Sequence, residues 1–187
     1  MHQDNWSLKA KKMGYRSRAV FKLEEILHKL HKNQINKVLD LGSAPGGWSQ
    51  FIINKYPHSK IIAVDILHME PIEGVQFIKK NIEDIDSIQL INSQKGKFDL
   101  VISDIAPNLT GISAVDNENI YELNKITINL ANIYLSEASS AVVIKTFQNS
   151  NFKSLKKEME LFFKIVQTYK PAASKNKSAE TYLYGAR

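Results

Sequence analysis

The chain has 187 residues, 43% of them hydrophobic and 24% charged, which fits a single folded domain, 1–187, with a full hydrophobic core. It contains no cysteine, so disulfides, thiolate metal sites and a cysteine nucleophile are excluded. The formal net charge of +6 at pH 7 favours a polyanionic partner such as nucleic acid. Because there is neither a signal-peptide pattern nor an apolar run of membrane-spanning length, we expect a cytoplasmic protein without a membrane partner.

The N-terminal segment, residues 1–16, is polar and basic. The cations of this segment, and Arg18 just after it, are interleaved with Trp6 and Tyr15. Such a segment is either a solvated, mobile terminus or an RNA-binding edge, in which cations meet phosphates and aromatic rings stack on bases. In the second interpretation the RNA-binding residues are Lys9, Lys11, Lys12, Arg16 and Arg18.

A helix is predicted directly after this segment. Ser17 can act as its N-cap, and apolar residues then recur at helical spacing from Val20 to Leu30. Lys22 lies beside the apolar stripe, so its ammonium group either reaches solvent from the flank of the helix or points into a site.

From residue 37 onward, short apolar runs alternate with helical patterns. The apolar runs predict strands at 38–41, 61–65, 75–78, 98–104, 141–145, 165–169 and 181–184. The helical patterns lie near 47–54, 85–92, 119–135 and 152–163. This alternation predicts an α/β fold, in which a mostly parallel sheet carries helices on both faces.

The first strand runs into a glycine-rich turn, residues 40–48, with the sequence Asp-Leu-Gly-Ser-Ala-Pro-Gly-Gly-Trp. A strand–turn–helix joint of this kind holds nucleotide-like cofactors at the carboxyl edge of open α/β sheets. The third position of a dinucleotide fingerprint, normally glycine, is Ala44, and no lysine follows Gly47 as it would in a phosphate-binding loop. The turn therefore favours an adenosine cofactor without phosphates, of which S-adenosylmethionine is the common one, and disfavours a nicotinamide oxidoreductase.

Four of the predicted strands carry an ionisable residue at or next to their C-terminal end. The first ends in Asp40 and Leu41, and the others end in Asp65, Asp104 and Lys145. Because the carboxyl ends of parallel strands meet at one edge of a sheet, we expect these side chains to lie together where α/β proteins bind ligands.

Several segments resemble those of the FtsJ/RrmJ (RlmE) family of ribose 2′-O-methyltransferases. The resemblance runs in register from about Trp6 onward, and it is carried by residues 16–23, 40–50, 103–108, 143–148 and 178–182. It implies a Rossmann-like class I methyltransferase fold with a seven-stranded, mostly parallel sheet whose last strand is antiparallel. It also implies S-adenosyl-L-methionine as cofactor and methylation of a ribose 2′-hydroxyl group, which in bacterial members belongs to the A-loop uridine of large-subunit ribosomal RNA.

The family's catalytic lysine, aspartate, lysine and glutamate fall on Lys22, Asp104, Lys145 and Glu180. The strand pattern independently predicts Asp104 and Lys145 at the carboxyl edge, and Glu180 joins them if the last strand is antiparallel. Lys22 is indicated by the resemblance alone. Two roles remain open for Lys145, since it can serve as a general base for the hydroxyl proton or as a cation that steers the oxygen lone pair towards the methyl group.

The resemblance also implies a set of cofactor-binding residues: Gly42, Gly46, Trp48, Asp65, Asn81 and Asp104. Asp65 is placed for the ribose hydroxyl groups and Asp104 for the methionine end. Asn81 stands where the family usually has an aspartate against adenine, and its amide oxygen can still accept from the adenine amino group.

The expected partner is ribosomal RNA within the large ribosomal subunit, bound by a monomeric enzyme that needs no metal. Two alternatives stay open: a tRNA or cap 2′-O-methyltransferase with the same four catalytic residues, and a non-catalytic RNA-binding factor for ribosome assembly on the same scaffold. The intact catalytic set argues against the non-catalytic factor, and a cap enzyme generally needs more surface than 187 residues provide.

Overall fold

A computed structural model describes residues 5–30, 34–108, 110–174 and 178–187. Within these ranges one sheet is formed by seven strands: β1 (Lys37–Leu41), β2 (Lys60–Asp65), β3 (Val75–Lys79), β4 (Leu100–Ser103), β5 (Ala141–Phe147), β6 (Ile165–Tyr169) and β7 (Glu180–Ala186). Their order in the sheet is β3-β2-β1-β4-β5-β7-β6. β1 to β5 are parallel, whereas β7 is antiparallel to both β5 and β6, so the expected mostly parallel sheet with an antiparallel last strand is confirmed.

Helices cover both faces of the sheet, as the alternation of elements predicts. They are α1 (Asn5–Lys12), α2 (Val20–Lys29), α3 (Gly47–Lys55), α4 (Gln89–Asn92), α5 (Ser113–Tyr134) and α6 (Phe152–Glu160), and a 3-10 helix (Ile82–Ser87) precedes α4. In the described part of the chain, none of these helices is both long and apolar enough to cross a membrane.

The hydrophobic core consists of two layers, one on each face of the sheet. Successive side chains of a strand point to opposite faces, so Val38 packs in the layer of α2 and α3 while Leu39 packs in the layer of α5 and α6. Strands that are buried on both faces read as continuous apolar runs, which explains why β1, β2, β4 and β5 stand out in the sequence.

The basic N-terminal segment contains a helix that the sequence pattern does not indicate. α1 packs through Trp6 against Phe21 of α2, with 5.3 Å between the ring centroids. The basic N-terminal segment is therefore helical over Asn5–Lys12, and its first four residues lie outside the described ranges.

The prediction that Ser17 caps α2 is wrong. The N-cap residue is Ala19, and no side chain caps this helix. Ser17 lies instead against the glycine turn, where a Cβ on Gly47 would come within 2.4 Å of its hydroxyl oxygen.

Two helix boundaries also differ from the sequence pattern. The single helix predicted near 85–92 is two short elements, because Ile88 has an extended backbone (φ −90°, ψ 100°) between the 3-10 helix and α4. α5 begins at Ser113, ahead of the predicted start near residue 119.

Candidate active site

The sheet register brings the carboxyl ends of the parallel strands together at one edge. The neighbouring positions across β2, β1, β4 and β5 are Val64, Leu41, Ser103 and Ile144. The residues that follow three of these positions are Asp65, Asp104 and Lys145. These three side chains therefore lie at the edge where the strand pattern predicts them.

β7 reaches the same edge from the opposite direction. Its first residue, Glu180, pairs with Phe147 at the end of β5, and Tyr182 pairs with Lys145. The antiparallel strand thus places Glu180 beside the carboxyl ends of the parallel strands, although Glu180 is the first residue of its own strand.

Four ionisable side chains form two ion pairs at this edge. Lys22 Nζ lies 2.6 Å from Glu180 Oε1, and Lys145 Nζ lies 3.2 Å from Asp104 Oδ1. The side chain of Lys22 is only 6% exposed and that of Lys145 only 10%. Because an unpaired ammonium group is unfavourable at such a depth, each lysine depends on its carboxylate partner.

The hydroxyl group of Tyr182 lies between the two ion pairs. Its oxygen is 3.1 Å from Asp104 Oδ1 and 3.4 Å from Glu180 Oε1. Burial, together with the charges of Asp104 and Glu180, raises the pKa of Tyr182 well above its ordinary value, so the hydroxyl group remains a proton donor. Sequence reasoning does not single out Tyr182, but its position two residues after Glu180 on a strand puts both side chains on the same face.

Each ion pair has a further polar partner. Lys145 Nζ also donates a hydrogen bond to the backbone carbonyl of Asp104, and Ser174 Oγ donates to Glu180 Oε1 at 3.0 Å. Burial by itself would raise the pKa of Glu180, but the hydrogen bond and charge of Lys22, with smaller effects of Ser174 and Lys145, lower that pKa below its ordinary value. Glu180 is therefore a carboxylate acceptor, and the Lys145 ammonium group keeps one N–H for a ligand.

A cavity of about 620 Å³ opens at this edge of the sheet. This volume lies within the range of small-molecule and cofactor sites, roughly 300–1,000 Å³. Its wall includes five residues named from the sequence: Gly42, Asp65, Asn81, Asp104 and Lys145. It also includes Asn119 and Glu122 of α5, which no sequence motif indicates.

The glycine turn forms one wall of the cavity. Gly42 has a φ of 73°, and a Cβ at this position would lie 1.9 Å from Ile105 Cγ1, so only glycine fits. Asp65 accepts hydrogen bonds from the backbone N–H groups of Ala44 and Leu67, both at 2.8 Å. Each oxygen of Asp65 thus holds a separate loop and keeps a lone pair for the hydroxyl groups of a ligand.

Asp40 is buried where β1 enters the turn. Ser49 Oγ donates to Asp40 Oδ2 at 2.6 Å, whereas Asp40 Oδ1 and Ser43 Oγ are buried without a hydrogen-bond partner in the described structure. Burial is the main cause that raises the pKa of Asp40 to about 7, and the charges of Asp104 and Asp65 add to it. These two buried polar atoms are thus left without a partner in the described structure, and neither residue lines the cavity.

Gly46 and Trp48 lie outside the cavity wall. A Cβ on Gly46 would meet Ile72 Cδ1 at 2.7 Å and Met69 Sδ at 3.0 Å, on the outer side of the turn. Trp48 Nε1 donates to the carbonyl of Ala19 at 2.8 Å, and the indole ring lies 5.9 Å from the ring of Tyr182. Neither residue lines the cavity, and Trp48 links the start of α3 to Ala19 and Tyr182.

Asn81 lines the cavity and also caps the 3-10 helix. Its Oδ1 accepts from the backbone N–H of Glu83 at 3.2 Å, and its Nδ2 lies 3.3 Å from Glu83 Oε2. The side-chain amide is therefore oriented by Glu83 at the cavity wall.

The predicted RNA-binding residues have different surroundings. Lys11 and Lys12 are exposed on α1, and Arg18 is half-buried. Lys9 Nζ lies 4.6 Å from the centroid of the Phe21 ring and so packs against α2. The guanidinium group of Arg16 donates hydrogen bonds to the backbone carbonyls of Pro45, Glu70 and Pro71.

Comparison with known proteins places the chain among methyltransferases. Residues 15–187 match the family described as FtsJ-like methyltransferase. The chain is 38% identical over 198 residues to Ribosomal RNA large subunit methyltransferase E of Polaromonas naphthalenivorans (strain CJ2), an alignment that covers 97% of this chain and 80% of that protein. The protein of the same name from Wigglesworthia glossinidia brevipalpis is 38% identical over 187 residues, covering 97% of this chain and 90% of that one.

Solved structures agree with this result. A Plasmodium falciparum chain described as a ribosomal RNA methyltransferase has a TM-score of 0.79 at 29% identity, covering 92% of this chain and 98% of that chain. The 1,6-didemethyltoxoflavin-N1-methyltransferase of Burkholderia thailandensis, solved with S-adenosylhomocysteine, has a TM-score of 0.64 at 13% identity, covering 96% and 82%. The second likeness shows the fold alone, which is the Rossmann-like methyltransferase fold. The chain belongs to the FtsJ-like methyltransferase family.

Proposed function

We propose that the protein is an S-adenosylmethionine-dependent enzyme that methylates a ribose 2′-hydroxyl group in large-subunit ribosomal RNA, with the A-loop uridine as target. The observation that carries the proposal is the arrangement of two buried ion pairs, Lys22–Glu180 and Lys145–Asp104, joined by Tyr182 at a cavity of cofactor size. Relatives named Ribosomal RNA large subunit methyltransferase E support the choice of substrate.

The residues around the cavity fit S-adenosylmethionine, whose sulfonium centre supplies an electrophilic methyl group. Asp65 has free lone pairs for the two ribose hydroxyl groups. Ile66 and Leu67 offer apolar surface to adenine, next to the oriented amide of Asn81. Asp104 supplies a carboxylate for the ammonium group at the methionine end.

The chain's own residues would position and polarise the attacking hydroxyl group. Methyl transfer forms an oxygen–carbon bond as the carbon–sulfur bond breaks, so holding the oxygen in line with that bond is the main task. The remaining N–H of Lys145 can donate to the ribose oxygen and turn a lone pair towards the methyl group. Lys22 and Glu180 would orient the ribose beside it. The hydroxyl proton is transferred to Lys145 if the amine is neutral, or to solvent if Lys145 stays an ammonium group.

The RNA-binding surface is proposed to include α1, whose exposed cations Lys11 and Lys12 precede Lys22 in the chain. Phosphate contacts by such residues would hold a structured RNA around one presented ribose. We further propose that the enzyme acts as a cytoplasmic monomer on the large ribosomal subunit.

Methyl transfer from labelled cofactor to large ribosomal subunits, free ribosomal RNA and tRNA, measured in parallel, tests the proposal. We expect label in large-subunit ribosomal RNA, at an A-loop uridine whose 3′ phosphodiester bond resists alkaline cleavage. Label in tRNA alone would make the protein a tRNA methyltransferase. Cofactor binding without any transfer would make it a non-catalytic RNA-binding factor.

A further inference from the structure

Arg16 donates hydrogen bonds to three backbone carbonyls that belong to two loops, and it does not line the cavity. Its Nη1 donates to the carbonyl of Pro45 at 3.2 Å and to that of Glu70 at 2.6 Å, and its Nη2 donates to the carbonyl of Pro71 at 2.7 Å. A planar guanidinium group can serve several carbonyl oxygens at once, which an ammonium group on a flexible stem does less well. One side chain of the N-terminal segment therefore holds two separate loops.

Both loops are continuous with the cavity wall. Pro45 follows Ala44, whose backbone N–H binds Asp65, and Glu70 and Pro71 lie in the loop that starts with Ile66 and Leu67. The same two loops are tied from inside by Asp65, which accepts from Ala44 and Leu67. Asp65 and Arg16 thus fix the two loops relative to each other from their inner and outer sides.

Gly46 of the turn leaves room for this contact. A Cβ on Gly46 would lie 3.2 Å from Arg16 Nη1, which is tighter than an ordinary contact, and Gly46 has a φ of 104°. A second tie reinforces it, because the backbone N–H of Arg16 donates to Gln50 Oε1 at 3.0 Å and Gln50 Nε2 donates to the carbonyl of Gly14 at 2.8 Å. The segment around Arg16 is therefore built onto the outer face of the turn.

The loop between β2 and β3 depends on such contacts. Its residues 66–72 form neither helix nor strand, and Ile66 and Leu67 are exposed. Without the guanidinium group the carbonyls of Glu70 and Pro71 would lose a charged donor, and the wall formed by Ile66 and Leu67 would lose its outer support.

We propose that Arg16 is a positioning residue for cofactor binding, which acts by holding the 66–72 loop against the glycine turn. The inference rests on the proposed function, since it takes S-adenosylmethionine as the occupant of the cavity. It assigns to Arg16 a role different from a phosphate contact, because at least three of its N–H groups already have backbone acceptors.

Calorimetric titration with S-adenosylhomocysteine tests the proposal without RNA. Arg16→Met keeps the apolar stem and removes the donors, so it should weaken binding about tenfold. Arg16→Lys should fall between wild type and Arg16→Met, because it restores a cationic donor group without the planar fork. Lys12→Met removes a cation from the same segment but none of these bonds, and should bind with wild-type affinity. The proposed function fails if the wild-type protein shows no binding; the inference fails if wild type and Arg16→Met bind equally.

Steady-state kinetics separate a positioning role from general loss of stability. The KM for S-adenosylmethionine should rise in Arg16→Met, while kcat at saturating cofactor and the KM for RNA stay near wild type. A raised KM for RNA with an unchanged KM for cofactor would make Arg16 a phosphate contact and overturn the proposal. If Arg16→Met fails to fold, the same comparison is made with Arg16→Lys, for which an unchanged cofactor KM overturns it.

Discussion

The hydroxyl group of Tyr182 lies 3.1 Å from Asp104 Oδ1, and this contact joins β7 to the end of β4. The same carboxylate oxygen lies 3.2 Å from Lys145 Nζ. A group on the antiparallel strand therefore shares an acceptor with the central lysine of the proposed active site, and its loss should change the position of Lys145.

Removal of this hydroxyl group should lower the rate more than cofactor affinity. We expect Tyr182→Phe to reduce kcat about tenfold, because one hydrogen bond to a charged acceptor is lost. Calorimetry should show cofactor affinity close to wild type, since Tyr182 does not line the cavity. Tyr184→Phe is a matched control on the same strand, with its ring against Tyr169, and should leave kcat unchanged. Equal rates for both variants would contradict a role for the Tyr182 hydroxyl group.

Lys145 should matter for the chemical step far more than for cofactor binding. Lys145→Ala is expected to lose about 10²–10⁴-fold in turnover, the usual contribution of a general acid–base group, with near wild-type cofactor affinity. Lys145→Arg separates the two roles, because a guanidinium group can steer the oxygen but cannot take its proton. Single-turnover rates decide between them, and a Lys145→Ala variant with most of its activity would remove the residue from the mechanism.

Asp40 should make stability depend on pH. Its pKa is raised from 3.8 to about 7 in the folded protein, so its contribution to stability is full below about pH 3.8 and is lost as the pH rises through 7. Asp40→Asn has no such proton to lose. Between pH 5 and 7 the wild-type protein should lose about 2 kcal/mol more unfolding free energy than the variant. Urea unfolding at the two pH values measures this difference, and parallel pH dependences would show that Asp40 titrates normally.

Lys11 and Lys12, two of the exposed cations of α1, should contribute to RNA affinity through phosphate contacts. Replacing Lys11 and Lys12 together by alanine should flatten the log–log salt dependence of RNA binding by about 1.4–1.8, at 0.7–0.9 for each contact. Cofactor affinity should not change, because neither residue reaches the cavity wall. A wild-type salt slope in the double variant would place the RNA on another surface.

The sheet could be predicted from sequence because its central strands are buried on both faces and alternate with helices. Strand ends that carry Asp65, Asp104 and Lys145 then follow from the register of a parallel sheet. The short elements could not be predicted, since Ile88 interrupts a helical pattern through its backbone conformation alone. Lys22 of α2 lies at the site because it pairs with Glu180, which is far from it in the sequence. The periodicity of apolar residues cannot predict such a long-range contact.

Arg16 shows why a charged residue in a basic segment is difficult to interpret from sequence. A run of cations near an expected active site predicts phosphate contacts, and the exposed Lys11 and Lys12 are compatible with that interpretation. The partners of Arg16 are backbone carbonyls, which every residue possesses and no motif identifies. The same limit applies to Trp48, whose indole N–H binds the carbonyl of Ala19.

The insertion of β7 between β5 and β6 has a consequence for partial unfolding. In the described part of the chain β6 pairs with the sheet only through β7, whereas most of the cavity wall belongs to α5 and to the segments that follow β1, β2, β3 and β4. Detachment of the β6–β7 hairpin would carry Glu180 and Tyr182 away and leave the cofactor wall in place. We therefore expect the β6–β7 hairpin to detach before the cavity wall unfolds, so mild denaturant should abolish methyl transfer before it releases the cofactor.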